Sequence, residues 1–375
     1  MRKGEVFRDA IFEFYNGLMG FYCTYKPILN LLQENHNTNF EKIVNPIRKK
    51  IENKELSVKF ENLYESIHNI NVFGYSSSKI LEIYLVASVT CFDVFLSNLI
   101  RTVYYDINKS IIELLDEKKR DKDTEEDLLD TLSDKNRWDI LKSIDKKMIM
   151  KIDCVSDHQK DFSKACRIRN IIVHNDGKID QKFIDIINKY QIAEEECYVG
   201  MKYILTEEKF KSLILSIFQF GFELGYSIWM KYSTENDQQY QYLSKELSNQ
   251  LFHIKEYALL IKIIKFVLDV DRNINIDQKK DIMLKIAQCY KWNGNAELCN
   301  TTLDSFDWSG SDESIYLAID VLKDNFDEAY EHMKKIGKNH QTITAHTYRN
   351  LTLFNKIRNE DKFSSVFYEI FGEPL

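Results

Sequence analysis

Arg167-Ile168-Arg169-Asn170-Ile171-Ile172-Val173-His174-Asn175-Asp176-Gly177 ends a run of helical periodicity on a glycine, and it carries charge where a core helix would carry aliphatics. Phe162, Ala165, Cys166, Ile172 and Val173 recur at helical spacing and mark an inward stripe, on which Arg169 also falls. Gly177, just past the last periodic residue, is a helix stop, so the spacing predicts a helix from about Gln159 to His174. A guanidinium on an apolar face costs roughly several kcal/mol unless an anion meets it. Arg167, Asn170 and His174 lie at i, i+3 and i+7 and share a neighbouring face. An arginine, an amide and an imidazole gathered at one helix end suit a phosphate site with a proton-transfer group. Two plainer readings stand beside this one. An imidazole near a helix C-terminus also suits the helix dipole, and an inward guanidinium also suits a structural carboxylate.

Outward from this helix the chain reads as all-α. In 375 residues there are only 3 Pro and 12 Gly, and long stretches of good helix formers lie between them. A chain of this length holds two or three domains with ample core. Residues 1–75 read as an N-terminal helical extension, in which Phe7, Ile11, Phe14, Tyr15 and Leu18 repeat at helical spacing. Phe60, Leu63, Tyr64 and Ile67 form a second amphipathic run, and Gly74-Tyr75-Ser76-Ser77-Ser78 breaks the pattern and offers caps to the next helix.

Residues 76–235 read as a four- or five-helix bundle. Its first helix, Ile80 to Tyr105, is strongly apolar but interrupted by Glu82, Asp93 and Arg101, which predicts a core helix rather than a membrane span. A run from Asp116 to Asp127, charged at every position but Thr124, reads as a solvated helix end or an insertion. Trp138, Leu141 and Ile144 begin another helix. Past the motif helix, Ile179, Phe183, Ile186, Ile187 and Tyr190 continue as a helix, and 198–205 as a short extended piece. Thr206 is an N-cap signal with Glu207 and Glu208 behind it. The helix that it opens buries Phe210, Leu213, Ile214, Ile217, Gly221, Leu224, Gly225 and Ile228 on one side.

Residues 236–375 read as helix-turn-helix repeats. Asn293-Gly294-Asn295-Ala296-Glu297 returns as Lys323-Asp324-Asn325-Phe326-Asp327-Glu328-Ala329, and Glu360-Asp361-Lys362-Phe363 follows later. Polar turns between amphipathic helices at this spacing resemble a degenerate tetratricopeptide-type solenoid, whose stacked pairs would offer a surface to a protein partner or ligand.

Seven cysteines are scattered with no C-x-x-C and no secretory leader, which predicts reduced thiols and a cytoplasmic protein. The net charge of −7 argues against a coat of nucleic acid over the whole surface. Between Asp134 and Lys182, however, 12 Lys/Arg stand against 8 Asp/Glu. No H-E-x-x-H or Cys/His spacing points to a metal, and no phosphate-binding glycine loop or serine elbow is present. Neither a metal nor a cofactor is expected, and no membrane association.

Arg169-Asn170, then His174, at the end of a late helix resembles the signature of the HEPN superfamily, an arginine followed four to six residues on by a histidine. The resemblance extends over residues 76–235, where Leu81–Phe95 looks like the family's long first helix. It implies a metal-independent endoribonuclease that cuts RNA, tRNA included, through a 2′,3′-cyclic phosphate. It further implies a toxin or antiphage abortive-infection context, and a homodimer in which two motif helices supply paired histidines and arginines. On that resemblance His174 is the acid/base, Arg169 the phosphate stabiliser and Asn170 a positioning group. Arg167 is a further phosphate contact, and its spacing leaves the choice of principal arginine open. Glu82 or Asp93 would orient the arginine. Against this stands a non-catalytic scaffold that binds RNA or nucleotide on the bundle and a partner on the C-terminal helices.

Overall fold

The computed structural model describes residues 3–48, 72–107, 153–192, 197–232, 238–271 and 274–375. Among these residues the chain is all-α, with thirteen α-helices, two 3-10 turns and no strand. It divides into two compact units, Met1–Gln239 and Tyr240–Leu375. The run around Phe60–Ile67, the charged run Asp116–Asp127 and the helix expected from Trp138 lie outside the described residues.

The first unit holds α1 (Lys3–Arg48), α2 (Val72–Ile107), α3 (Asp153–His174), α4 (Gln181–Tyr190) and α5 (Glu207–Tyr232). α5 packs on α1, α2 and α3, and α2 packs on α1 and α3. The side expected to be buried on α5 is buried, and so are Phe218, Phe220, Phe222, Tyr226 and Trp229 around it. A helix apolar all round belongs in the middle of a bundle. Four helices meet at one aromatic junction: Phe92 and Phe95 of α2, Phe14 of α1, Phe162 of α3 and Phe220 of α5. Phe92 lies 4.4 Å from Phe162 and 5.3 Å from Phe220, ring centre to ring centre, and Phe14 lies 4.4 Å from Phe95. Such ring pairs add about 0.5–1.5 kcal/mol each beyond the area they bury. α1 reaches this junction only because α5 carries glycine there. A Cβ on Gly221 would stand 2.1 Å from Phe14 Cε1 and one on Gly225 2.9 Å from Ile11 Cγ1.

α1, the described helix of the expected N-terminal extension, is therefore packed into the bundle rather than set apart from it. Ile11, Phe14, Tyr15 and Leu18 are buried, against partners too distant in sequence for local periodicity to reveal. A second expectation also gives way. α2 begins at Val72 and runs through Gly74–Ser78 without a break, because the tertiary packing of a long apolar helix outweighs the weak cap preference of serines. Glu82 and Asp93 fall within Ser78–Leu99 as expected, and Leu85, Val89 and Phe92 between them are core. Ser78–Leu99 and Glu207–Met230 are each long and apolar enough, by length and composition alone, to cross a membrane, a test that a buried core helix also passes. They are 44% and 72% buried.

The second unit carries α6 (Gln238–His253), α7 (Tyr257–Val270), α8 (Ile276–Trp292), α9 (Ala296–Asp304), α10 (Glu313–Lys323), α11 (Phe326–Ile336), α12 (Ala345–Asn350) and α13 (Asp361–Phe371). α8 packs on α9, α10 on α11, and α8 on α10. The two recurrent polar turns fall between the helices of these pairs. Asn295 caps α9 by accepting the Leu298 amide at 2.9 Å, and Asp324 ends α10 in the left-handed region at φ 63. Lys291 of α8 donates to the Leu322 carbonyl at 2.6 Å and to Asp324 at 2.5 Å, fastening one pair to the next. The third turn differs. Glu360 opens α13 behind two 3-10 turns, Thr352–Phe354 and Ile357–Asn359, instead of a long helix.

Candidate functional site

The inward line of α3 is Phe162, Ala165, Ile168 and Ile171, each at most 1% exposed. This replaces the stripe expected through Cys166, Ile172 and Val173. A helix crossing its neighbours at an angle is covered along an i, i+3 row, so the buried face rotates as the helix proceeds. By the last turn Val173 is 47% exposed. Arg169 consequently lies on the flank of the covered face, half-buried.

The helix closes as its glycine predicts. The Ile171 carbonyl accepts the Asn175 amide at 3.0 Å and the Gly177 amide at 2.8 Å. Asp176 and Gly177 both have left-handed backbones, at φ 50 and φ 73. The left-handed backbone at Gly177 favours glycine, and a Cβ there would sit 3.3 Å from the flexible end of the Lys202 side chain. The chain then pairs with the extended piece at 198–205. Ile179 donates to Met201, Tyr203 to Gly177 and Gly200 to Ile179, each at 2.8 Å, around an antiparallel bridge between Lys178 and Lys202.

The two arginines have different surroundings. Arg167 grips Asp180 with a fork, Nε to Oδ1 at 3.2 Å and Nη2 to Oδ2, and burial pushes its guanidinium below its ordinary value. Asp180 also caps α4 by accepting the Phe183 amide at 2.9 Å. Arg167 thus joins the end of α3 to the start of α4, and its hydrogen-bonding edge is occupied. Arg169 donates from Nη1 to Asn170 Oδ1 at 3.0 Å, while its Nε is buried with no hydrogen-bond partner among the described residues. A buried donor left unmatched costs about 1–3 kcal/mol, more when charged. His174 is the last residue of α3 and is exposed.

Of the two carboxylates expected to orient an arginine, Glu82 is buried and takes a 2.8 Å hydrogen bond from Lys79, three residues before it. Asp93 is half-buried on α2. Sequence reasoning missed the groups that ring the helix tip. Lys202 sits 3.2 Å from Asp176 Oδ2 and also donates to the Asp176 carbonyl, and Lys79 lies 3.9 Å from Oδ1. Hydrogen bonding to Lys202, and then the charges of Lys202 and Lys79, hold the exposed Asp176 carboxyl below its ordinary range. The cap at Asp180 had a local signal, an aspartate just before a helical run. The approach of Lys202 had none.

Among the described residues no group of three or more His, Cys, Asp or Glu side chains is arranged to hold a metal ion. Comparison of the chain with family models, with curated proteins and with solved structures finds no match.

Proposed function

We propose that the bundle is a metal-independent endoribonuclease of HEPN type, acting as a homodimer in a toxin or antiphage abortive-infection role. One observation carries the reading. Arg169 keeps a buried, unmatched Nε beside Asn170, within two turns of an exposed imidazole, while its neighbour Arg167 is occupied by Asp180. A guanidinium with an unfilled donor is a seat for an anion, and a phosphodiester is the anion that makes use of an adjacent imidazole.

The chemistry balances as follows. The RNA 2′-OH loses its proton to one imidazole as its oxygen bonds to phosphorus. The P–O5′ bond breaks, and O5′ takes a proton from a second imidazole, leaving a 2′,3′-cyclic phosphate. Arg169 binds the non-bridging oxygens as their charge grows, and Asn170, four residues before His174, holds the arginine through its amide oxygen. One chain offers a single imidazole at this tip, so the second comes from a two-fold partner. Exposed apolar residues support such an interface: Val173 beside His174, and Ile83 and Val94 on α2 at 67% and 55%, eleven residues and so about three turns apart on one face.

Purified protein incubated with total RNA in EDTA tests the reading. Cleavage that persists in EDTA and disappears in His174→Ala and Arg169→Ala is the expected result. RNA left intact by the wild type, in EDTA and with divalent metal alike, would overturn it. The helix pairs of the second unit favour a second reading, a non-catalytic scaffold that holds a protein or ligand there while the bundle binds RNA or nucleotide.

A further inference from the structure

Beside the candidate site, the Tyr198–Met201 turn shows an aromatic ring to solvent without a packing reason. Tyr198 is 67% exposed, Val199 54% and Ile204 61%. Burying such side chains would be favourable, and this surface forgoes that gain. The turn is held firmly all the same. Met201 donates to Tyr198 at 3.1 Å across it, Gly200 takes φ 90, and three backbone hydrogen bonds tie the segment to Gly177 and Ile179. Those are the residues that end the motif helix, so ring and helix tip belong to one rigid piece. From His174 to Ile179 is five residues, at most about 18 Å of chain and less around a turn. The charge nearby is mixed: Lys178 and Lys202 form the bridge and Lys79 faces Asp176, while in sequence Glu194, Glu195 and Glu196 precede the turn and Glu207 and Glu208 follow it.

We propose that this turn is a stacking platform on which Tyr198 holds an unpaired base of single-stranded RNA, with the exposed Lys178 meeting a flanking phosphate. The proposal rests on the RNA-cleavage reading and adds a substrate class to it. A rigid exposed ring next to lysines is the combination by which proteins hold single strands, since every base has a face to stack and every linkage a charge. A duplex offers its bases only at the ends, so the platform selects unpaired segments.

The test measures binding apart from cleavage. A fluorescent oligouridine whose 2′-hydroxyls are methylated cannot be cut, and its anisotropy reports affinity for the full chain. Tyr198→Ala should weaken binding about five- to hundredfold, and Tyr198→Phe should stay within about twofold of wild type. A hairpin of the same length should bind more weakly than the single strand. Because the ring is exposed, melting of Tyr198→Ala should match wild type. Unchanged affinity in Tyr198→Ala, a preference for the hairpin, or no binding of the oligomer by wild type would each overturn the platform. So would a result in which anionic vesicles, not RNA, lose binding on that substitution. If RNA is cleaved through His174 and Arg169 while Tyr198→Ala binds normally, the platform fails and the nuclease stands. If the oligomer binds through Tyr198 and nothing is cut, the reverse holds.

Discussion

Arg167 and Arg169 stand two residues apart and answer differently to the same substitution. Arg167 is an ion-pair member with 14% of its side chain exposed, and its partner Asp180 caps the next helix. Arg167→Ala leaves that carboxylate half-buried without its counter-charge, holding only its amide hydrogen bonds, so it should cost about 1–3 kcal/mol of stability. Arg169→Met removes a buried donor that has no partner, so stability should hold or rise. Activity should divide the other way. Arg169→Met should lower RNA cleavage about 10²–10³-fold, as loss of a charge-stabilising donor does, while Arg167→Ala cleaves normally per folded molecule. Thermal melts by circular dichroism alongside cleavage rates check both halves, and a stable but inactive Arg167→Ala would reverse the assignment. Sequence left this choice open because spacing to His174 is all that it offers. What separates the arginines is Asp180, thirteen residues from Arg167 and reached only when the chain turns at Gly177.

At the scale of elements, local rules worked where the cause was local. The glycine stop of α3, the Thr206 start of α5 and the buried residues along α5 were all legible. They failed where a distant partner decides, as with the inward line of α3, the unbroken start of α2 and the place of α1. The contact of α1 with α5 is the clearest case. Gly221 and Gly225 were read as members of a buried side, but their purpose, to let Phe14 and Ile11 approach, appears only with α1 in place. Gly221→Ala tests that contact. Alanine favours the helix by about 1 kcal/mol. Its methyl would stand 2.1 Å from a ring stacked on Phe95, so Phe14 must move, and overpacking of that kind costs about 1–3 kcal/mol. The net expectation is a lower urea midpoint. Adding Phe14→Leu, which shortens the ring that clashes, should make the second substitution cheaper in the Gly221→Ala background than in wild type. Additive losses would mean that α1 does not rest on Gly221 as described.

On the scale of the whole molecule, the proposed chemistry requires more than one chain. A single tip carries one imidazole, but the reaction takes a proton from one oxygen and gives one to another. If both imidazoles meet in one composite site, a subunit lacking His174 disables the partner that it joins. Mixing wild type with His174→Ala, under conditions that let subunits exchange, turns this into a curve. With random pairing, an equal mixture leaves about half of the wild-type subunits in wild-type pairs, and a threefold excess of the variant leaves about a quarter. Cleavage per wild-type chain should therefore fall in proportion to the wild-type fraction. Independent sites would give a flat line at every ratio, because each intact chain would work regardless of its neighbour. A variant that shares subunits by mass spectrometry yet leaves the rate per wild-type chain unchanged would end the composite-site mechanism while leaving Arg169 its anion. The exposed face that runs along Ile83 and Val94 supplies the control. Aspartate at both positions should split the dimer, abolish cleavage even though His174 and Arg169 are intact, and leave the bundle's melting in place, since both side chains are exposed.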